Sequence, residues 1–217
     1  MILVAIFFLV WALRATVLYS IDTSIEWEGL RKLYAETLRF ALWVAPVFIY
    51  LKLVDKVNPF EYLKLSTPIR ARAIIESAVF IILYIVIGWA LRDMAEGKPV
   101  LAMREINTPE ALKVLLYTTG APVAEEIFFR GFVLRKLWDR MNFWPANFVT
   151  SLLFIAIHWP YWLYTRGLQV SIIADSATIY LFSLFMGFLV KRTNSLWPAI
   201  FGHLVNNYVS GYLRLRA

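Results

Sequence analysis

The chain has 217 residues, of which 60% are hydrophobic and 17% charged, with no cysteine and a formal net charge of +7. That composition excludes an ordinary soluble domain, where about a quarter of residues are charged, and it excludes disulfides, thiolate metal ligands and a cysteine nucleophile. Basic residues such as Lys52, Lys56, Lys64, Arg70 and Arg72 fall between apolar runs, where lipid headgroups meet them, so the positive excess is no nucleic-acid footprint.

The chain opens on MILVAIFFLVWALRATVLYSI, which lacks a basic leader and a small-residue cleavage site and reads as a retained first span. A bilayer-crossing helix takes about 20 mostly apolar residues. Seven segments approach that length: about 1–20, 38–54, 73–91, 111–134, 146–165, 170–190 and 196–213. The second is short and the fourth is interrupted by charges, so the count lies between six and eight. Ahead of the fourth, Thr108 is placed to cap a helix, with Pro109 at the first helical position and Glu110 in the first turn. Nine Trp, eleven Tyr and sixteen Phe suit a protein that meets membrane interfaces. The apolar runs are too long for barrel strands and do not alternate, so the expected fold is all-α. It is a polytopic transmembrane helix bundle of about seven spans, forming a single integral membrane domain over 1–217. Basic clusters at 52–72, 135–140 and 191–192 assign their side, and the N-terminus with it, to the cytoplasm. The expected location is the plasma membrane in a prokaryote and the endoplasmic reticulum in a eukaryote. Neither end carries a lipidation motif.

The stretch APVAEEIFFRGFVL, residues 121–134, holds three charges in a run otherwise fit for hydrocarbon. Glu126 and Arg130 stand four apart and share a helix face, so they can pair. Glu125 points about 100° away, toward a different neighbour. A packing ion pair accounts for Glu126 and Arg130 about as well as a functional role does. It does not account for the second acid, and ionisable groups at membrane depth mark function. Both histidines, His158 and His203, also lie in apolar segments. Phe154 precedes His158 by four residues, and Asn207 follows His203 by four, so each pair projects from one face, with Asn206 close to the second. A satisfied interhelical hydrogen bond is the bland reading of a lone membrane histidine. A carboxylate, an imidazole on a second helix and a His/Asn face on a third are also a kit for hydrolysing a peptide bond. The carboxylate, flanked by an imidazole, deprotonates a water and returns the proton to the leaving amine. The His/Asn face donates to the oxyanion.

Three blocks, EEIFFRG at 125–131, FIAIH at 154–158 and HLVNN at 203–207, resemble the motifs EExxxR, FxxxH and HxxxN of the CPBP family. That family comprises CAAX proteases and bacteriocin-processing enzymes, glutamate-type intramembrane proteases that include Rce1-like endopeptidases. The motif-bearing core extends over about 110–213, and the first 100 residues show generic apolar segments. The resemblance implies that Glu125 activates the water together with His158 and that His203 and Asn207 form the oxyanion site. It implies supporting roles for Glu126 and Arg130, a structural one for Phe154, and no cofactor or metal. The substrate it implies is a membrane-anchored or lipidated protein, met at the lipid bilayer and not on nucleic acid; the oligomeric state is left open. Three other readings stand beside it. Glu125, His158 and His203 are residue types that bind zinc, although no HExxH pair is present. His158 and His203 on separate helices suit a bis-histidine haem. A non-catalytic membrane chaperone or partner-binding protein could keep the same fold.

Overall fold

A computed structural model describes residues 2–17, 19–96 and 119–212. All regular structure among them is helical. In chain order the helices are α1 (Ile2–Ala15), α2 (Tyr19–Ser24) and α3 (Glu28–Arg39), then a π-helical segment at Phe40–Val44 that leads into α4 (Ala45–Leu53). A short α5 (Pro59–Tyr62) and the long α6 (Ala71–Glu96) follow. Helix α7, described over 119–126, passes through a second π segment (Ile127–Val133) into α8 (Leu134–Trp138). The chain then makes α9 (Phe143–Ala156), α10 (Trp159–Arg166), α11 (Val170–Thr193) and α12 (Trp197–Tyr212).

The all-α class holds, but the bundle of six to eight spans does not. Among the described residues one helix, Ile172–Thr193, is long and apolar enough to cross a bilayer; Leu3–Ala15 is apolar but shorter. The reason is that apolar runs continue where the helices do not. The first run bends after Ala15, where Thr16 Oγ1 turns back onto the Ala12 carbonyl (2.7 Å). In the second, Pro46 has no N–H to donate, and the Ala45 N–H bonds Phe40 five residues back, which makes the π turn. The preceding α3 is polar and buries none of its side chains, so it adds no membrane length. The run 146–165 divides at Ile157 and His158, because Pro160 leaves the Ala156 carbonyl without its helical donor. Helix α12 is described over 16 residues, up to the last described position. The capping signal at Thr108, Pro109 and Glu110 lies outside the described residues, as do the side chains of α6 beyond Ile87.

The helices close on a core built around the second π segment, in which all seven residues are buried. Phe128 and Phe129 meet Trp43 of the first π segment, and Phe7 of α1 packs on Phe128 at a centroid distance of 3.9 Å. Two glycines let helices approach closely. A side chain at Gly187 would run into the Asn147 amide, which reaches from α9 to donate to the Leu184 carbonyl on α11 (2.8 Å). At Gly202 it would meet Ser77 Oγ, which ties α6 to α12 through the Pro198 carbonyl (2.8 Å). The outer surface stays apolar. Ile6, Leu9 and Leu13 on α1, Val79, Ile82 and Val86 on α6, and Phe148 and Leu152 on α9 are all exposed. An apolar surface of this breadth, with a helix long and apolar enough to cross, is what a membrane-associated protein presents.

Candidate active site

Helix α7 runs into its π segment at Glu126, so Glu125 and Glu126 stand at the point where helical register changes, a common location for functional groups. Glu126 and Arg130 are both buried, and Arg130 Nη1 lies 3.1 Å from Glu126 Oε1. The same Oε1 accepts from His203 Nδ1–H on α12 at 2.8 Å. The His203 ring then presents Nε2 to Glu125, 3.9 Å from its Oε2. Glu125 is the more open of the two acids, with 13% of its side chain exposed against 0% for Glu126. Arg130, Glu126, His203 and Glu125 thus form one buried row, most exposed at the Glu125 end.

Phe154 of α9 is the wall against which this row packs. The Arg130 guanidinium lies 4.2 Å over its ring, and both imidazoles meet it edge-on, His158 at 5.4 Å and His203 at 6.0 Å between centroids. His158 sits in the break between α9 and α10, where its Nδ1–H donates to the Phe154 carbonyl at 2.9 Å. That bond leaves the Nε2 lone pair of neutral His158 free to accept a proton. The Glu125 carboxylate and the His203 ring both lie within electrostatic reach of it.

The structure therefore gathers Glu125, Glu126, Arg130, His158 and His203 around Phe154. Asn207 is not joined to them. It is half-buried one turn beyond His203, and its amide oxygen accepts from Asn206 Nδ2 at 3.3 Å. Several supporting residues come from elsewhere. Arg130 Nη2 reaches the Ser183 carbonyl at 3.4 Å, and Ser183 Oγ donates to Ser151 Oγ at 2.9 Å. Phe182 stands edge-on to His203 at 5.0 Å, and Trp162 packs on His158 at 5.3 Å. Trp11 of α1 donates its indole N–H to the Ile157 carbonyl (3.1 Å), beside the break that holds His158. Ser151 carried a readable signal, lying three residues before Phe154 and seven before His158 on one helix face. Ser183, Phe182, Trp162 and Trp11 carried none. Among the described residues no group of three or more His, Asp or Glu side chains is arranged to hold a metal ion, so nothing in the geometry favours the zinc reading.

Comparison with known proteins bears out the resemblance read from the motifs. Residues 107–209 match the family described as type II CAAX prenyl endopeptidase Rce1-like. A protein of Bacillus subtilis (strain 168) described as putative membrane peptidase YdiL is 25% identical over 115 residues, covering 52% of this chain and 41% of that protein. The chain thus spans less than half the length of that relative. No solved structure matches it. All three motif blocks lie inside the matched segment.

Proposed function

Starting from that Rce1-like segment and the buried row it contains, we propose that this chain is an intramembrane endopeptidase. It hydrolyses a peptide bond in a membrane-anchored or lipidated protein through a water activated by Glu125 and His158. The observation that carries the reading is the juxtaposition of Glu125 with His203 Nε2 (3.9 Å) at the most exposed end of an otherwise buried ion-paired row. Helix α11 anchors the chain in the bilayer as an integral membrane protein, and the apolar outer faces meet lipid.

Each group has a defined task. Glu125 takes a proton from the water as its oxygen attacks the carbonyl carbon. The proton then passes to the leaving amine, with the His158 Nε2 lone pair in position to carry it. His158 keeps its orientation because Phe154 accepts from Nδ1. His203 and Asn207 receive the oxyanion. Since His203 Nδ1–H is engaged by Glu126, the ring donates at Nε2 only when doubly protonated. Glu126, itself paired with Arg130, fixes the orientation in which the His203 ring meets substrate. Asn207, one turn on, becomes a donor by exchanging its Asn206 partner for substrate.

The test is co-expression of Glu125→Gln with quantitative profiling of membrane-protein termini, followed by cleavage of the accumulated protein by purified wild type. We expect the variant to lower turnover by about 10²- to 10⁴-fold, the usual worth of a positioned acid–base group, with insertion into membranes unchanged and activity resistant to chelators. Wild-type turnover in the variant would refute the assignment.

A further inference from the structure

Helices α6 and α11 run antiparallel, and the seam between them changes character along its length. At one end, where α6 begins and α11 finishes, Arg70, Arg72, Glu76 and Arg192 surround an open hollow of about 320 Å³. Glu76 holds the two helices together there. Its Oε1 accepts from Arg72 Nε (2.9 Å) and Arg192 Nη2 (3.0 Å), and its Oε2 from Arg192 Nε (3.0 Å). Three arginines against one glutamate leave the hollow positive. Arg72 is 85% exposed, free to turn its remaining N–H groups outward. Lys191 adds charge at the same level, lying over the Phe143 ring at 4.5 Å and the Trp144 ring at 5.8 Å. Basic and aromatic side chains together at the end of a spanning helix are the signature of the headgroup layer.

One helical turn further along, the seam becomes largely apolar and carries no charged side chain. Phe80 follows Glu76 by four residues on α6, and Phe188 precedes Arg192 by four on α11. From there a groove of about 680 Å³ continues between the helices, floored by Phe80, Tyr84 and Phe185 and flanked by Trp144, Leu181 and Ile87. Phe80 and Phe185 stack face to face within it. The length of α6 from Glu76 to Ile87 corresponds to about 16 Å at the helical rise, the reach of a dozen extended methylenes. A cationic hollow one helical turn from an apolar groove of chain length, on the same seam, matches the layout of an amphiphile.

We propose that the α6–α11 seam binds one anionic glycerophospholipid, with its phosphate against Arg70, Arg72 and Arg192 and an acyl chain in the groove. Neither the peptidase reading nor its residues enter this inference. The negative headgroup is selected by the excess of arginine, as in basic pockets between membrane helices. The chain is selected by a groove that offers it no charged side chain.

The experiment is native mass spectrometry of the full chain released from nanodiscs of phosphatidylcholine, phosphatidylglycerol or an equal mixture. We expect one retained phosphatidylglycerol from the mixture. The double variant Arg70→Gln/Arg72→Gln, which leaves the Glu76–Arg192 clamp intact, should lose that adduct by tenfold or more, since each basic residue near a headgroup contributes about fivefold. Leu83 also lines the groove, and Leu83→Trp, which fills it, should lower binding of both lipids without changing the preference for the anionic one. Equal retention of the two lipids, or an unaffected double variant, would overturn the proposal. So would a groove occupied by added farnesyl-cysteine peptide in preference to phosphatidylglycerol. Inorganic phosphate at millimolar concentration should fail to displace the lipid; displacement would mean a free-phosphate site in its place.

Discussion

Glu126 Oε1 serves two partners at once, accepting from His203 Nδ1 while pairing with Arg130, and all three side chains are buried. Such an arrangement tolerates no single loss. Arg130→Ala should destabilise the protein by about 3–5 kcal/mol, because it leaves an uncompensated carboxylate in the core; denaturant unfolding in detergent measures this. Glu126→Gln should cost less, since the amide oxygen still accepts from His203. The Glu126–Arg130 pair was readable from its four-residue spacing. The spacing also set Asn207 beside His203, yet Asn207 stays apart from this row. The bond that joins His203 to Glu126 was not readable. His203 and Glu126 lie 77 residues apart, and no local period reports which oxygen of which acid an imidazole will choose. The same holds for Phe182 and Ser183, supplied by a helix that bears none of the motif residues.

Helix by helix, an apolar run and a continuous ladder of hydrogen bonds are different properties, and hydropathy reports only the first. Pro46 and Pro160 were visible in the sequence, yet the direction of their effect depended on packing. One yields a π turn that sets Trp43 against Phe128, the other a break that presents His158. Helix α3 shows how a polar element contributes. Glu36 lies between Lys32 and Arg39, each at 2.7 Å. Burial pushes its carboxyl up, but the Arg39 and Lys32 charges and hydrogen bonds outweigh this and hold it below the ordinary glutamate value. A depressed value in the folded state adds stability above the unfolded value, and that stability is lost as pH falls through the folded one. Thermal scans should therefore show stability declining below about pH 4.3, and Glu36→Gln should flatten this part of the decline. A slope unchanged by the substitution would mean that Glu36 is not its source.

For the molecule as a whole, composition foretold the apolar exterior but overstated how many helices run the full depth of a bilayer. Among its described residues one helix is both long and apolar enough to cross, and the 26-residue α6 and shorter helices gather about it. The proposed anchoring through α11 has a direct check. Alkaline carbonate should leave the protein in the membrane pellet, whereas Leu181→Asp/Phe185→Asp on α11 should shift a measurable fraction to the supernatant. Release of the wild type under the same conditions would rule out an integral anchor.

Trp11 holds the Ile157 carbonyl beside His158, while Phe7 and Trp43 brace Phe128 and Phe129 within the second π segment. These three aromatics precede residue 107, outside the segment shared with the Rce1-like family. The motif-bearing stretch is therefore not a portable module. Transplanted without its N-terminal helices, it would keep every residue proposed for catalysis and lose the scaffold that aims them. Exchanging those helices between relatives is accordingly a route to altering turnover without touching a motif.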